Sequence, residues 1–287
     1  MTSASRPRPQ RLTFLALTIF LLVAVGCTGL LQNIGARWVT RQIAAEFNLD
    51  EAQTAATRAA VDRTIAAAPA ALSSKVDMLV ATVDAAIAKG LTEKKLLGME
   101  RQVDALLDIV AGGIIDEAAP IMATLRDDQI DFVEARIQKR LDEAREEIAE
   151  PKEERVEKRQ DEFIEAVDDW AGSLGDSQEA ALRKFVAGLP DEGAARLAAD
   201  ERRVERMRVL FHKHPGTQAI RDGIWEEWKN REDWGPDARP PQARRAEGRQ
   251  ALMFVYGLLD GEQKDHASEH LHELHDKVNA FLGAAGS

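Results

Sequence analysis

The sequence predicts an all-α protein, and three observations lead to this prediction. Apolar residues recur at helical spacing in almost every segment after Arg37. No run of alternating β-branched residues is bounded by hairpin turns. Helix-capping segments that begin with leucine recur along the chain. We therefore expect an elongated array or bundle of about ten helices behind an amino-terminal targeting segment.

Four apolar stripes indicate where the buried helix faces lie. Within each stripe the steps between members are mostly three or four residues, which places them on one side of a helix. The stripes are Val76, Leu79, Val80, Val83 and Ile87; Val103, Leu106, Leu107, Val110, Ile114 and Ile115; Ile130, Val133, Ile137, Leu141, Ala144 and Ile148; and Leu271, Leu274, Val278, Phe281 and Leu282. The third favours coiled-coil packing against a neighbour, and the fourth predicts a helix from Glu262 to Leu282.

Predicted helix starts share a pattern that we call a box, in which glutamine follows leucine by four residues. Boxes begin at Leu49, Leu125, Leu174 and Leu259, and a related segment at Leu91 has threonine after leucine but no glutamine. An aspartate follows Leu49 and Leu259, so these two boxes predict reciprocal capping with the glutamine. The gaps of 42, 34, 49 and 85 residues between successive starts are too uneven for a solenoid of fixed period.

Prolines and glycines predict the interruptions. Between Glu134 and Glu162, 19 of 29 residues are charged, which is typical of solvated helices, and Pro151 predicts a break or kink near Glu150. Residues 234–243 contain three prolines and a glycine and predict a loop. Shorter turns are expected at Leu189-Pro190-Asp191 and His214-Pro215-Gly216.

The amino terminus has the layout of a secretory signal. Three arginines precede the apolar run Leu12–Val25, and the only cysteine of the chain follows at Cys27. Ala24-Val25-Gly26-Cys27 resembles the lipobox of bacterial lipoproteins, which implies cleavage before Cys27 and acylation of its sulfur and its new amino group. The alternative is a permanent transmembrane anchor, because no charge occurs from Leu12 to Ala36. The loss of hydrophobicity after Val25 favours cleavage.

The lipobox resemblance also predicts the organisation and location of the protein. Residues 1–26 are expected to be a signal peptide, 27–48 a lipidated cysteine with a tether or first helix, and 49–287 an all-α periplasmic domain. In enteric lipoproteins an aspartate after the cysteine retains the protein at the inner membrane. Thr28 at that position therefore predicts the periplasmic face of the outer membrane.

Charge and cysteine content exclude several functional classes. The net charge of −11 argues against binding to nucleic acid, and it becomes −14 when the three arginines of the signal segment are removed. A single cysteine cannot form an intramolecular disulfide or a thiolate zinc site. The sequence also lacks the GxSxG, Walker A and GxGxxG patterns. We expect no cofactor and no enzymatic activity on this basis.

One motif points to metal chemistry. His266-Ala-Ser-Glu269-His270 matches the HxxEH pattern of one class of zinc peptidases, in which two histidines bind zinc and the glutamate is the base. Helical geometry places His270 about 70° and His266 about 110° from the centre of the buried stripe, so both lean toward solvent. A non-catalytic Zn²⁺ or Cu²⁺ site is more plausible there than a catalytic one. His212-Lys-His214 could contribute, but the sequence does not place it beside this helix.

Tryptophans form the densest aromatic patch of the sequence. Trp225 and Trp228 lie one helical turn apart, with Trp234 nearby. Core packing between two helices is the favoured interpretation of this patch, and a surface for a partner or a membrane edge is the alternative.

Several segments together resemble a family of uncharacterised proteobacterial lipoproteins that is defined by a domain of unknown function. They are Cys27, Trp38, Phe47-Asn48-Leu49 with Gln53, Trp170-Ala-Gly-Ser-Leu174 with Gln178, and Asp200–Arg208. This resemblance implies a helical periplasmic lipoprotein and names no activity. A looser similarity links the boxes to periplasmic helical proteins with LTxxQ boxes, which act as chaperones and envelope-stress sensors, although no box here has both the threonine and the glutamine.

The sequence thus supports two hypotheses of function. The preferred one is an outer-membrane-anchored interaction, chaperone-like or stress-sensing protein, held to the membrane through lipidated Cys27 and contacting protein partners in the periplasm. The alternative is a metal-binding protein or zinc-dependent hydrolase that uses His266, Glu269 and His270.

Overall fold

The computed structural model describes residues 30–285, and within them it has ten α-helices and no strand. The helices are α1 (Leu30–Phe47), α2 (Glu51–Lys89), α3 (Glu93–Met122), α4 (Asp127–Ala149), α5 (Lys152–Ala171), α6 (Asp176–Ala187), α7 (Gly193–Phe211), α8 (Thr217–Lys229), α9 (Pro241–Leu258) and α10 (Gly261–Ala285). The all-α prediction is confirmed for this part of the chain. No helix among the described residues combines the length and apolar character needed to cross a membrane.

Two apolar cores hold the helices together. The first joins α2, α3 and α10 around Leu72, Phe281 and Leu282, which are nearly inaccessible to solvent. The second joins α5, α6 and α9 around Val167 and Leu182. Helix α10 also packs against α5, so it connects the two cores. Burying such side chains contributes about 1.5–3 kcal/mol each, which is the main stabilisation of the array.

The predicted interruptions agree with the structure. Helix α4 ends at Ala149 and α5 begins at Lys152, so Pro151 breaks the helix. The guanidinium of Arg155 donates to the carbonyl oxygens of Ile148, in the last turn of α4, and of Glu150, the residue after the helix. The turns at 189–191 and 214–216 also separate helices where the sequence predicted them, but the predicted loop at 234–243 ends earlier, because α9 begins at Pro241.

Helix α2 continues through Pro69 although an internal proline removes a backbone donor. Ala68 and Leu72, on either side of it, are buried against α10. The packing of this face outweighs the local cost of the proline, which is about 3 kcal/mol. The stripe predicted on α10 is also buried, except that Leu274 is only partly covered.

Candidate functional site

The boxes at Leu49 and Leu125 meet through their glutamines, although 76 residues separate them. The amide nitrogen of Gln53 donates to Oε1 of Gln129 at 3.1 Å, and the amide nitrogen of Gln129 donates to Oε1 of Gln53 at 2.6 Å. Gln129 is fully buried and Gln53 almost so. We call this arrangement the first glutamine pair.

The boxes at Leu174 and Leu259 repeat the arrangement. Gln178 donates to Oε1 of Gln263 at 2.7 Å, and Gln263 donates in return to Oε1 of Gln178 at 3.0 Å. This second glutamine pair joins residues that lie 85 positions apart. All four predicted boxes therefore belong to one of two pairs with the same hydrogen-bond pattern.

The box sequence explains how each glutamine is oriented. Its Oε1 accepts a hydrogen bond from the backbone N–H three residues earlier, at the residue that follows the leucine. In the boxes of Gln53 and Gln263 that earlier residue is an aspartate. Its side chain accepts a hydrogen bond from the backbone N–H of the glutamine, so the predicted capping boxes are confirmed. The hydrogen bond from the Gln53 N–H lowers the pKa of Asp50 below its ordinary value.

The partner box supplies a second acceptor for each amide. The nitrogen of every glutamine also donates to the carbonyl oxygen of the residue just before the partner's leucine. In the first pair, Gln53 donates to the carbonyl of Thr124 and Gln129 to that of Asn48. In the second pair, Gln178 donates to the carbonyl of Leu258 and Gln263 to that of Ser173. Both pairs therefore satisfy every polar atom of their side chains. Such a site fixes two interhelical turns together and has no free group for catalysis.

The predicted zinc motif lies on α10 against the end of α5. His266 Nδ1 is 3.2 Å from the carbonyl oxygen of Trp170, and its ring lies over Gly172. The ring of His270 packs edge-on against the Trp170 indole, with 4.8 Å between their centroids. Glu269 is exposed. The ligand atoms of His266, Glu269 and His270 do not all lie within 4.8 Å of one another.

His212 and His214 contact a different helix from that motif. They follow α7 and contact acidic side chains on α4, among them Glu134 and Asp127. The sequence singled out this histidine pair but gave no signal for its partner helix, because the contacts span 78 and 87 residues.

The tryptophan patch packs between helices, as the favoured interpretation predicted. Trp225 lies against Gly112 of α3, and Trp228 Nε1 donates to Asp108 Oδ1 at 2.8 Å. The guanidinium of Arg231 stacks on the Trp228 ring at 4.2 Å. These contacts attach α8 to α3.

Two arginines tie the later helices and loops to distant acids. Arg239 pairs with Glu192 and Glu247, and these bonds raise the pKa of Arg239 and lower that of Glu192. Arg245 pairs with Asp104 at 2.6 Å and with Glu232, which raises the pKa of Arg245. Both arginines therefore remain charged at any pH the protein would meet.

Cys27 and the predicted signal segment lie outside the described residues. No curated protein and no solved structure was found to be similar to the chain. A match to DUF6279, a family of unknown function, covers residues 69–239, from the middle of α2 to the loop before α9. Because this match covers more than half of the sequence, the chain belongs to the DUF6279 family.

Proposed function

We propose that this chain is an interaction protein of the bacterial envelope with a chaperone-like role, anchored by lipidated Cys27 at the periplasmic face of the outer membrane. The observation that carries the proposal is the repeated glutamine pair. All four boxes are used in one structural role, which supports their relation to the LTxxQ boxes of periplasmic chaperones and stress sensors. Belonging to a family of unknown function leaves this role open.

Exposed apolar side chains provide surface for a partner. Met78 and Leu252 are 62% and 54% accessible, and Trp38 and Trp170 are exposed to a lesser extent, at 43% and 42%. Acidic and basic side chains surround them on the same helices. Exposed apolar groups on a strongly charged surface suit weak binding of unfolded segments, because the net charge keeps the binding protein itself soluble.

The chaperone-like role is tested by light scattering. A denatured client enzyme is diluted into buffer with a chelator, with or without the full-length chain in detergent. We expect suppression of aggregation near equimolar ratio, and clear weakening by the double variant Met78→Glu, Leu252→Glu. Ala81→Glu, at an exposed site on the same helix as Met78, is the matched control and should suppress aggregation like the wild type. Aggregation unaffected by the wild-type chain would reject the role.

The anchor is tested separately by fractionating cells that express the full-length chain. We expect the wild type in the outer-membrane fraction and its precursor to accumulate when the lipoprotein signal peptidase is inhibited with globomycin. Cys27→Ala should be soluble or unprocessed. Membrane association that persists in Cys27→Ala and ignores globomycin would instead indicate a transmembrane anchor.

A further inference from the structure

Three ligand-type side chains converge where α4 passes the end of α7. His212 Nε2 is 2.9 Å from Glu134 Oε1 and 3.9 Å from Asp131 Oδ1. One ligand atom from each of the three residues lies within 4.8 Å of the other two. The described residues contain no second trio of histidine, cysteine or acidic side chains with this spacing. We call this group the His212 cluster.

Helical geometry produces the cluster. Asp127, Asp131 and Glu134 are spaced by four and three residues, so they lie on one face of α4. His212 is the first residue after α7, and α7 packs along that part of the array against α4. Asp131 and Glu134 therefore lie within a helix, and His212 is the C-cap residue of the helix that packs against it.

Asp127 lies beside the other ring nitrogen of His212. Asp127 Oδ1 is 3.7 Å from His212 Nδ1, which is longer than a hydrogen bond, and 2.9 Å from His214 Nε2. Nε2 of His212 is directed at Glu134 and Asp131.

The cluster is reachable from solvent. A groove of about 540 Å³ runs between α4 and α7, and Asp131 and Glu134 are part of its wall. His212 and Glu134 are about one-third accessible, and Asp131 is mostly exposed. An ion could reach the two carboxylates along this groove, which His212 does not line.

We propose that Asp131, Glu134 and His212 form a binding site for a divalent transition-metal ion of the Zn²⁺ type. One imidazole nitrogen and two carboxylate oxygens are ligands that Zn²⁺ accepts. Bonds of about 2.1 Å in a tetrahedral site place ligand atoms about 3.4 Å apart. The distances of 2.9 and 3.9 Å from His212 Nε2 lie on either side of that value, so small side-chain rotations would complete the geometry.

The site differs from the one that the sequence suggested on α10, and a single titration separates the two. The full-length chain in detergent is stripped with a chelator and titrated with Zn²⁺ by calorimetry. We expect His212→Ala and Glu134→Gln each to weaken binding by about tenfold or more. His270→Ala is the matched histidine control and should bind like the wild type. Cys27 is present in every variant, so it cancels from the comparison.

Glu134→Gln nearly preserves shape, so it remains decisive if His212→Ala does not fold. Ca²⁺ should bind at least about tenfold more weakly than Zn²⁺, because an imidazole ligand favours transition metals. Three results would overturn the proposal: unchanged Zn²⁺ affinity in Glu134→Gln, loss of binding in His270→Ala instead, or equal affinity for Ca²⁺ and Zn²⁺. The second result would place the metal on α10.

Discussion

The side-chain amides of Gln53 and Gln129 bind each other in both directions, with N···O distances of 3.1 and 2.6 Å. Each oxygen also accepts the N–H three residues before its own glutamine, so both of its lone pairs are used. The pair is almost inaccessible to water and joins the turn before α2 to the turn before α4. Two capping motifs that are local in sequence therefore create one contact between distant segments.

Replacing Gln129 with alanine should destabilise the protein substantially. It leaves the N–H of Arg126, the carbonyl of Asn48 and the amide of Gln53 without their buried partner. Each buried group left unsatisfied costs about 1–3 kcal/mol, so we expect a loss of about 2 kcal/mol or more in the free energy of unfolding. Urea denaturation followed by circular dichroism measures it.

Gln138→Ala is the control for that substitution, because Gln138 is exposed on the same helix. It should change the free energy of unfolding by less than about 0.5 kcal/mol. Equal effects of the two substitutions would mean that the first glutamine pair contributes no more than a surface residue does.

The second pair should behave as a coupled unit that is independent of the first. Gln178 and Gln263 hydrogen bond to each other, so a double-mutant cycle on them should give a coupling energy of about 0.5–3 kcal/mol. Gln178 and Gln53 bind different sets of partners, so their alanine variants should add within about 0.5 kcal/mol. Strong coupling between Gln178 and Gln53 would show that the two pairs form one cooperative element.

The sequence predicted the helices well, because helix formation depends on local information. The Asp50 cap, the break at Pro151 and the buried face of α10 are each determined by residues within a few positions of one another. The boxes were correctly located as helix starts. Their pairing could not be read from the sequence, because the paired glutamines lie 76 and 85 residues apart and nothing local to a box indicates which other turn it meets.

The candidate metal sites show the same limit. His266 and His270 attract notice in the sequence because they are close to each other along one helix, yet the structure packs them against Trp170. The His212 cluster depends on contacts between α4 and α7, and nothing local to either helix specifies that packing. The spacing of residues along a helix therefore predicts which of them share a face, but it does not predict which other helix packs against that face.

At acidic pH the protein should lose the contribution that Glu192 makes to its free energy of unfolding. Its two carboxylate oxygens accept hydrogen bonds from the guanidinium and the N–H of Arg239, which lowers its pKa below the ordinary 4.5. A carboxylate with a lowered pKa stabilises the folded state above its unfolded pKa, and this contribution is lost as the pH falls through the folded value. The stability difference between wild type and Glu192→Gln should therefore be largest above about pH 5 and shrink below about pH 4.

Urea denaturation of both proteins at pH 7, 5 and 3.5 provides the measurement. Glu146→Gln, at an exposed position on α4, controls for the general effect of removing one negative charge. A difference between wild type and Glu192→Gln that stays constant over this range would contradict the assignment of the stabilisation to the Arg239 contact.

Two glycine-to-alanine substitutions in helices should have opposite effects. Gly98 in α3 has open space where a Cβ would lie, so Gly98→Ala should stabilise the protein by about 0.5–1 kcal/mol through reduced backbone entropy. A Cβ at Gly223 in α8 would lie only 2.3 Å from Cδ2 of Leu210, at the crossing of α8 with α7. Overpacking costs about 1–3 kcal/mol, so Gly223→Ala should destabilise despite its better helix propensity. Thermal unfolding measures both effects. The double variant Leu210→Ala, Gly223→Ala should lose less stability than the sum of the losses in the two single variants. If the two losses simply add, the clash with Leu210 is not the cause.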